Sequence, residues 1–194
     1  MARRTPIDKP FLIASIILII GGFFIFNSAS LSLLAKNSAN YSSVAFTQTV
    51  LGFGLGTILL IVSSRLDYRI WKKAAFPLML VALILNILVL FFGTKIGGAR
   101  RWFYIHSFSF QPAEFLKFAF IIYFAAWAAG AKSRMRDFGR GFLPLVTLLA
   151  IIGTLLLLQP DTDNFIMIIF AGVAMFLASG GKWRYLVTIL LGFA

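Results

Sequence analysis

The sequence predicts an all-α fold: a polytopic helical membrane protein with six transmembrane helices, a truncated seventh and a cytoplasmic N-terminus. Three observations predict it. Of the 194 residues, 60% are hydrophobic and only 12% charged, about half the charged share of a soluble domain. The charges fall in short clusters between long uncharged stretches. The 18 Lys and Arg, against 6 Asp and Glu, are divided unevenly between alternate loops, as in a chain threaded by the positive-inside rule. A soluble enzyme of this length would have too little polar surface to cover itself. Disorder is excluded by the apolar composition, and a disulfide scaffold or Cys-ligated metal by the absence of Cys. The cations form no single basic face, which argues against nucleic acid as a partner.

The spans lie at about 11–30, 44–64, 74–93, 113–130, 142–158 and 165–179, with an incomplete one at 185–194, in one domain covering 1–194. Each full span is continuously apolar and near the roughly 20 residues that cross about 30 Å of hydrocarbon as a helix. Barrel strands would alternate over about ten residues instead. The first span follows a basic Met1–Lys9 and precedes Ser28-Ala29-Ser30, an arrangement resembling a secretory signal. Its length and the five spans after it favour an uncleaved helix. The second carries Gly52 and Gly56, a spacing for close helix approach. The third is uncharged from Ala74 to Thr94. Pro112 suits the first turn of the fourth, which also holds Glu114 and Lys117. The fifth and sixth flank a short polar turn, 159–164. The stretch from Tyr185 is too short to cross, so the chain reads as an N-terminal fragment cut inside a seventh helix.

With the N-terminus inside, the inner segments hold thirteen Lys and Arg and the outer loops four: Lys36, Lys95, Arg100 and Arg101. Three of these outer cations share one loop, Gly93–Tyr104. Adjacent Arg100 and Arg101, beside Gly97 and Gly98, suit a phosphate or pyrophosphate, because guanidinium presents a planar fork of donors. Trp102, Phe103 and Tyr104 suit the membrane interface; a plain interfacial anchor is the competing reading. Glu114 is favoured near a helix N-terminus, and Lys117 at i+3 can pair with it. Ionisable groups inside a span point to function, although a self-neutralised pair holding helices together reads equally well. Asp161 and Asp163 suggest a cation site, a partner for the outer Arg, or acid–base work. The plainer reading is a polar turn with Asp163 or Asn164 capping the next helix. His106, the only histidine, cannot make a multi-His metal site.

In order, Ser28-Ala29-Ser30 after the first helix, Leu66-Asp67-Tyr68 after the second, Gly98-Ala99-Arg100-Arg101-Trp102, Phe110-Gln111-Pro112-Ala113-Glu114 with Lys117, and Gln159-Pro160-Asp161 resemble the SEDS family (shape, elongation, division and sporulation), the proteins of the FtsW, RodA and SpoVE type. The resemblance covers essentially the whole chain. It implies a ten-helix peptidoglycan glycosyltransferase of the bacterial cytoplasmic (inner) membrane that polymerises lipid II into glycan strands in cell division or elongation. A polyprenyl-pyrophosphate-linked glycan is transferred to a lipid II hydroxyl on the extracytoplasmic face. The implied partners are lipid II, the lipid-linked glycan, membrane lipid and a class B penicillin-binding protein.

On that resemblance Arg100, Arg101 and Trp102 bind substrate. Gln111, Pro112, Glu114, Lys117, Gln159, Pro160 and Asp161 support the site. No cofactor is certain and no metal ligand is assigned, although a divalent cation could assist with the pyrophosphate. The family's catalytic Asp lies in a large outer loop after the seventh helix, beyond Ala194, so the fragment is expected to be inactive alone. The sequence departs from the family where Ala113 replaces a common Ser, where His106 replaces a Gly, and where Asp163 and Asn164 replace Gly and Thr. Leu66-Asp67-Tyr68 with Trp71 leans toward the division type. A lipid-intermediate flippase and a non-enzymatic scaffold for the penicillin-binding protein are the competing functions.

Overall fold

The computed structural model describes residues 9–34, 53–96, 98–105 and 108–187. Lys36, Gly52, Gly97, His106 and the terminal stretch 188–194 lie outside the described residues. The chain divides into two compact units, Met1–Leu66 and Asp67–Ala194.

In the first unit, α1 (Lys9–Leu34) and α2 (Gly56–Arg65) are the described helices. The rings of Phe23 and Phe53 lie 5.1 Å apart. Ser28-Ala29-Ser30, expected to follow the first helix, lies within α1. Nothing in Leu31-Ser32-Leu33-Leu34 breaks the apolar helical run, so the helix continues for another turn.

The second unit packs α3 (Tyr68–Phe92), α4 (Pro112–Ala131), α5 (Leu143–Leu158) and α6 (Thr162–Ala178). Helix α3 starts six residues before the expected span. The Asp67 carboxylate caps it, accepting from the Arg69 N–H at 2.9 Å, and this brings Lys72 and Lys73 into the helix. The most extensive contact is between α3 and α4. On α3 the buried residues are Ala75, Met79, Ala82, Asn86 and Val89, a repeat of four and three that forms one face. On α4 they include Ala113, Leu116, Ala119 and Phe120. Small residues let membrane helices approach closely where van der Waals packing drives association. Stacked Phe120 and Phe124, with Phe142 against Phe176 at 5.4 Å, fill the space toward α5 and α6. A Cβ on Gly153 would lie 2.4 Å from the Phe165 ring, so α5 meets α6 through a residue without a side chain.

Among the described residues, Tyr68–Phe92, Pro112–Ala131 and Phe138–Leu158 are long and apolar enough to cross a membrane; Lys9–Ile25, Phe53–Arg65 and Thr162–Ala178 are shorter apolar helical segments. Phe138–Leu158 joins α5 to a preceding π-helical turn, Phe138–Phe142, which follows a 3-10 turn, Lys132–Arg136.

The all-α expectation needs one correction. The loop after α3 folds into an antiparallel sheet of β1 (Thr94–Ile96), β2 (Ala99–Ile105) and β3 (Phe108–Phe110), in that order. The second half of β2, Trp102 to Ile105, is aromatic or β-branched, as strands favour. Gly98, at φ +86°, supplies the left-handed turn before it. β2 packs against α3 and α4, which fixes the sheet at one end of the helices.

Candidate functional site

At the sheet end, side chains from four separate segments converge. Asn86, buried on α3, donates to the Ala82 carbonyl at 2.8 Å and across to the Pro112 carbonyl at 3.2 Å. Gln159, the buried residue closing α5, donates from Nε2 to the Asn86 carbonyl at 3.0 Å and to Asn86 Oδ1 at 3.3 Å. Gln159 Oε1 has no partner among the described residues. α3, the start of α4 and the end of α5 are thus tied by two amides. Hydrogen bonds of this kind count where lipid offers no alternative partner.

The turn from α5 to α6 is held in the same way. Asp161 is 2% exposed, and its Oδ2 accepts from Gln111 Nε2 at 3.2 Å and Asn164 Nδ2 at 2.8 Å. Arg101, on β2, donates from Nε to the Gln159 carbonyl at 3.2 Å and from Nη2 to the Pro160 carbonyl. Its Nη1 lies 4.0 Å from Asp161 Oδ1. Of the readings open for the acidic pair, Asp161 takes that of partner to an Arg of the hairpin. Neither Asp163 nor Asn164 caps α6: Asp161 occupies the N-cap position without a side-chain cap bond, and Asn164 bonds its carboxylate from the first helical turn. That carboxylate is drawn to donors in the interior, so it does not turn back to the helix backbone.

The remaining candidates lie around this network. Arg100 is exposed and donates to the Phe91 carbonyl at 2.8 Å, and at 3.4 Å to that of Leu90, at the end of α3. Its register partner across the hairpin is Lys95, also exposed. Like charges directly opposite on two strands repel. Trp102 and Tyr104, two residues apart on β2, have ring centroids 6.5 Å apart and belong to one face of the strand. Glu114 is 58% exposed and pairs with Lys117 at 2.8 Å; Lys117 also reaches Met167 Sδ on α6 at 3.8 Å. Pro112 opens α4, with the Gln111 carbonyl accepting from the Glu114 N–H at 3.1 Å.

Among the described residues no three His, Asp or Glu side chains are grouped to hold a metal ion, and the Asp161 carboxylate already has protein donors. The divalent cation considered from the sequence has no built site among them.

Sequence reasoning missed Asn86. Its signal was present: it is the one amide within the uncharged stretch Ala74 to Thr94, but a search by charge alone passes over it.

The geometry unites Gly98–Trp102, Gln111–Lys117 and Gln159–Asp161, three of the five pieces that carried the resemblance. The profile of the FtsW, RodA and SpoVE family, described as cell cycle protein, matches residues 9–194. The chain belongs to the SEDS family. Among its SEDS relatives, the probable peptidoglycan glycosyltransferase FtsW of Trichlorobacter lovleyi is 35% identical over 93% of this chain and 48% of its own length. That of Hydrogenovibrio crunogenus is 28% identical over 100% of this chain and 49% of its own length. The chain therefore spans about half the length of the curated relatives it matches. The Thermus thermophilus rod shape determining protein RodA has a similar structure, with a TM-score of 0.70 and 27% identity, covering 92% of this chain and 57% of that one. A structure from a peptidoglycan synthase complex that coordinates polymerization and crosslinking matches with a TM-score of 0.74 and 26% identity, over 92% of this chain and 51% of that one.

Proposed function

We propose that this chain forms the N-terminal part of a peptidoglycan glycosyltransferase that polymerises lipid II into glycan strands, with the sheet end on the extracytoplasmic face of the bacterial cytoplasmic membrane. In this reading the helices cross six times. The observation that carries the proposal is the cationic hairpin. Lys95 and Arg100 face each other in register, both exposed, and neither belongs to either ion pair found among the described residues. An anion between them would relieve that repulsion, and transfer from a polyprenyl pyrophosphate needs its leaving charge neutralised.

Each site residue has a part. Arg100 meets the pyrophosphate, and Trp102 with Tyr104 offers an apolar platform to sugar or lipid. Arg101 holds the Gln159–Asp161 turn through the two carbonyls, and a third of its side chain stays exposed for contact with substrate at the edge of the hairpin. Glu114 and Lys117 orient the start of α4 beneath the hairpin. No residue here is assigned as the base that deprotonates the acceptor hydroxyl, so binding without polymerisation is expected of these 194 residues.

A flippase is less well supported. The buried polar side chains among the described residues, Asn86, Gln159, Asp161 and Asn164, gather at the sheet end and do not mark a path through the helices, as transport would need. A crosslinking partner of the class B penicillin-binding type is a compatible second role, suggested by the likeness to the synthase complex.

The test is binding by the reconstituted chain of undecaprenyl pyrophosphate compared with undecaprenol. Preference for the pyrophosphate, reduced about tenfold or more in Lys95→Gln/Arg100→Gln, is the expected result. Equal binding of the two lipids would overturn the assignment of the hairpin. Glycan strands made from lipid II by this chain alone would overturn the expectation of binding without turnover.

A further inference from the structure

Two grooves at the opposite end of the second unit share a wall. One, of about 360 Å³, runs between α4 and α5 and is lined by Tyr123, Phe124, Leu148 and Ile151, with Trp127 and Pro144 at one side. The other, of about 610 Å³, is also bordered by Trp127 and Pro144 and extends over Gly130 and Gly139 to Arg134 and Arg140. An apolar slot along the helices therefore adjoins a basic recess at their ends. The chemistry of the two parts differs as the two parts of a lipid differ.

The recess is cationic, with two Arg to one Asp. Arg134 and Arg140 are exposed, and the two ion pairs among the described residues lie elsewhere. Asp137, the carboxylate between them in sequence, is exposed and belongs to neither pair. The recess is also kept open: a Cβ at Gly130 or Gly139 would meet nothing within 4 Å. Trp127, at the junction, is of the residue type that settles where hydrocarbon gives way to headgroups.

We propose that the two grooves form a binding site for one anionic phospholipid, with its phosphate in the recess of Arg134 and Arg140 and an acyl chain in the slot beside Tyr123 and Ile151. A zwitterionic lipid would bring its own cation toward the two guanidinium groups and gain less. A free phosphate would leave the apolar slot unused. The site is separate from the sheet-end network and does not depend on the function proposed for it.

The test is native mass spectrometry of the purified chain in detergent, titrated with dioleoylphosphatidylglycerol, dioleoylphosphatidylcholine and soluble glycerol phosphate. The expected result is retention of phosphatidylglycerol about tenfold or more above phosphatidylcholine, with no retention of glycerol phosphate at the same concentration. At about fivefold per cation, Arg134→Gln/Arg140→Gln should weaken phosphatidylglycerol binding about twenty-fivefold, while Arg134→Lys/Arg140→Lys keeps most of it. Lys72→Gln/Lys73→Gln, which removes two exposed cations outside the groove, should change nothing. Gly130→Leu, which fills the recess without removing charge, should weaken both lipids at an unchanged melting temperature. It carries the test should the glutamine variant fail to fold. Equal retention of the two lipids, equal loss in the Lys72 and Lys73 variant, or equally tight glycerol phosphate would each overturn the proposal.

Discussion

Gln159 reaches across the bundle to Asn86, its amide nitrogen 3.0 Å from the Asn86 carbonyl and 3.3 Å from the Asn86 side-chain oxygen. The two residues are 73 positions apart and both are buried. Through Asn86 and the Pro112 carbonyl the contact also fixes the start of α4, where the site residues of that helix begin.

This pair should show energetic coupling. Gln159→Leu and Asn86→Leu are each expected to cost about 1–2 kcal/mol, with a coupling of about 0.5–1.5 kcal/mol in the double-mutant cycle. Thermal unfolding in detergent measures all four states. Costs that simply add would show that the two amides act independently.

Arg101 should not tolerate lysine. Its fork spans the Gln159 and Pro160 carbonyls while facing Asp161, and an ammonium cannot reproduce that geometry. Arg101→Ala and Arg101→Lys should both destabilise the fold, by about 1–3 kcal/mol, because each loses the fork that holds the two carbonyls, and the alanine variant also leaves the buried Asp161 without the cation beside it. Full restoration of the melting temperature by lysine would reduce Arg101 to a simple point charge.

Glu114 separates structure from function. Its pair with Lys117 is exposed on the Glu114 side, so Glu114→Gln should change stability by less than about 1 kcal/mol. If the pair orients the start of α4 beneath the hairpin, the same variant should weaken pyrophosphate binding at an unchanged melting temperature. Unaltered binding would leave the pair a surface feature.

Gly153 should resist enlargement. The Phe165 ring occupies the space of a Cβ, so Gly153→Ala should cost about 1–3 kcal/mol by overpacking α5 against α6. A second change, Phe165→Leu, should recover part of that loss. A melting temperature unmoved by Gly153→Ala would mean that the helices separate at little cost.

The motif blocks could be found in the sequence because their residue types are rare in apolar chains. Arg100, Arg101, Glu114 and Asp161 stand out wherever charge is costly. What each cation contacts could not be found in this way. Arg100 and Arg101 are adjacent and chemically identical, yet one bonds the carbonyls ending α3 and the other those of the α5–α6 turn. Successive residues of a strand point to opposite faces, so the division follows from β2, a strand within what reads in the sequence as a loop. Asn86 was passed over for a related reason: an uncharged amide hardly alters the apolar pattern, and only its partners reveal its part.

The sequence by itself determined the family, the helical character of the apolar stretches and the three blocks of the candidate site, because hydropathy and rare polar residues are local properties that need no partner. Tertiary structure alone decided which face of each helix is buried, that the hairpin is a sheet, and that Asn86, Gln159, Asp161 and Arg101 form one network. In a span apolar all round, periodicity cannot distinguish the face toward lipid from the face toward protein. The choice rests on close fit between helices, as where Gly153 admits the Phe165 ring, and on hydrogen bonds between residues far apart in the chain.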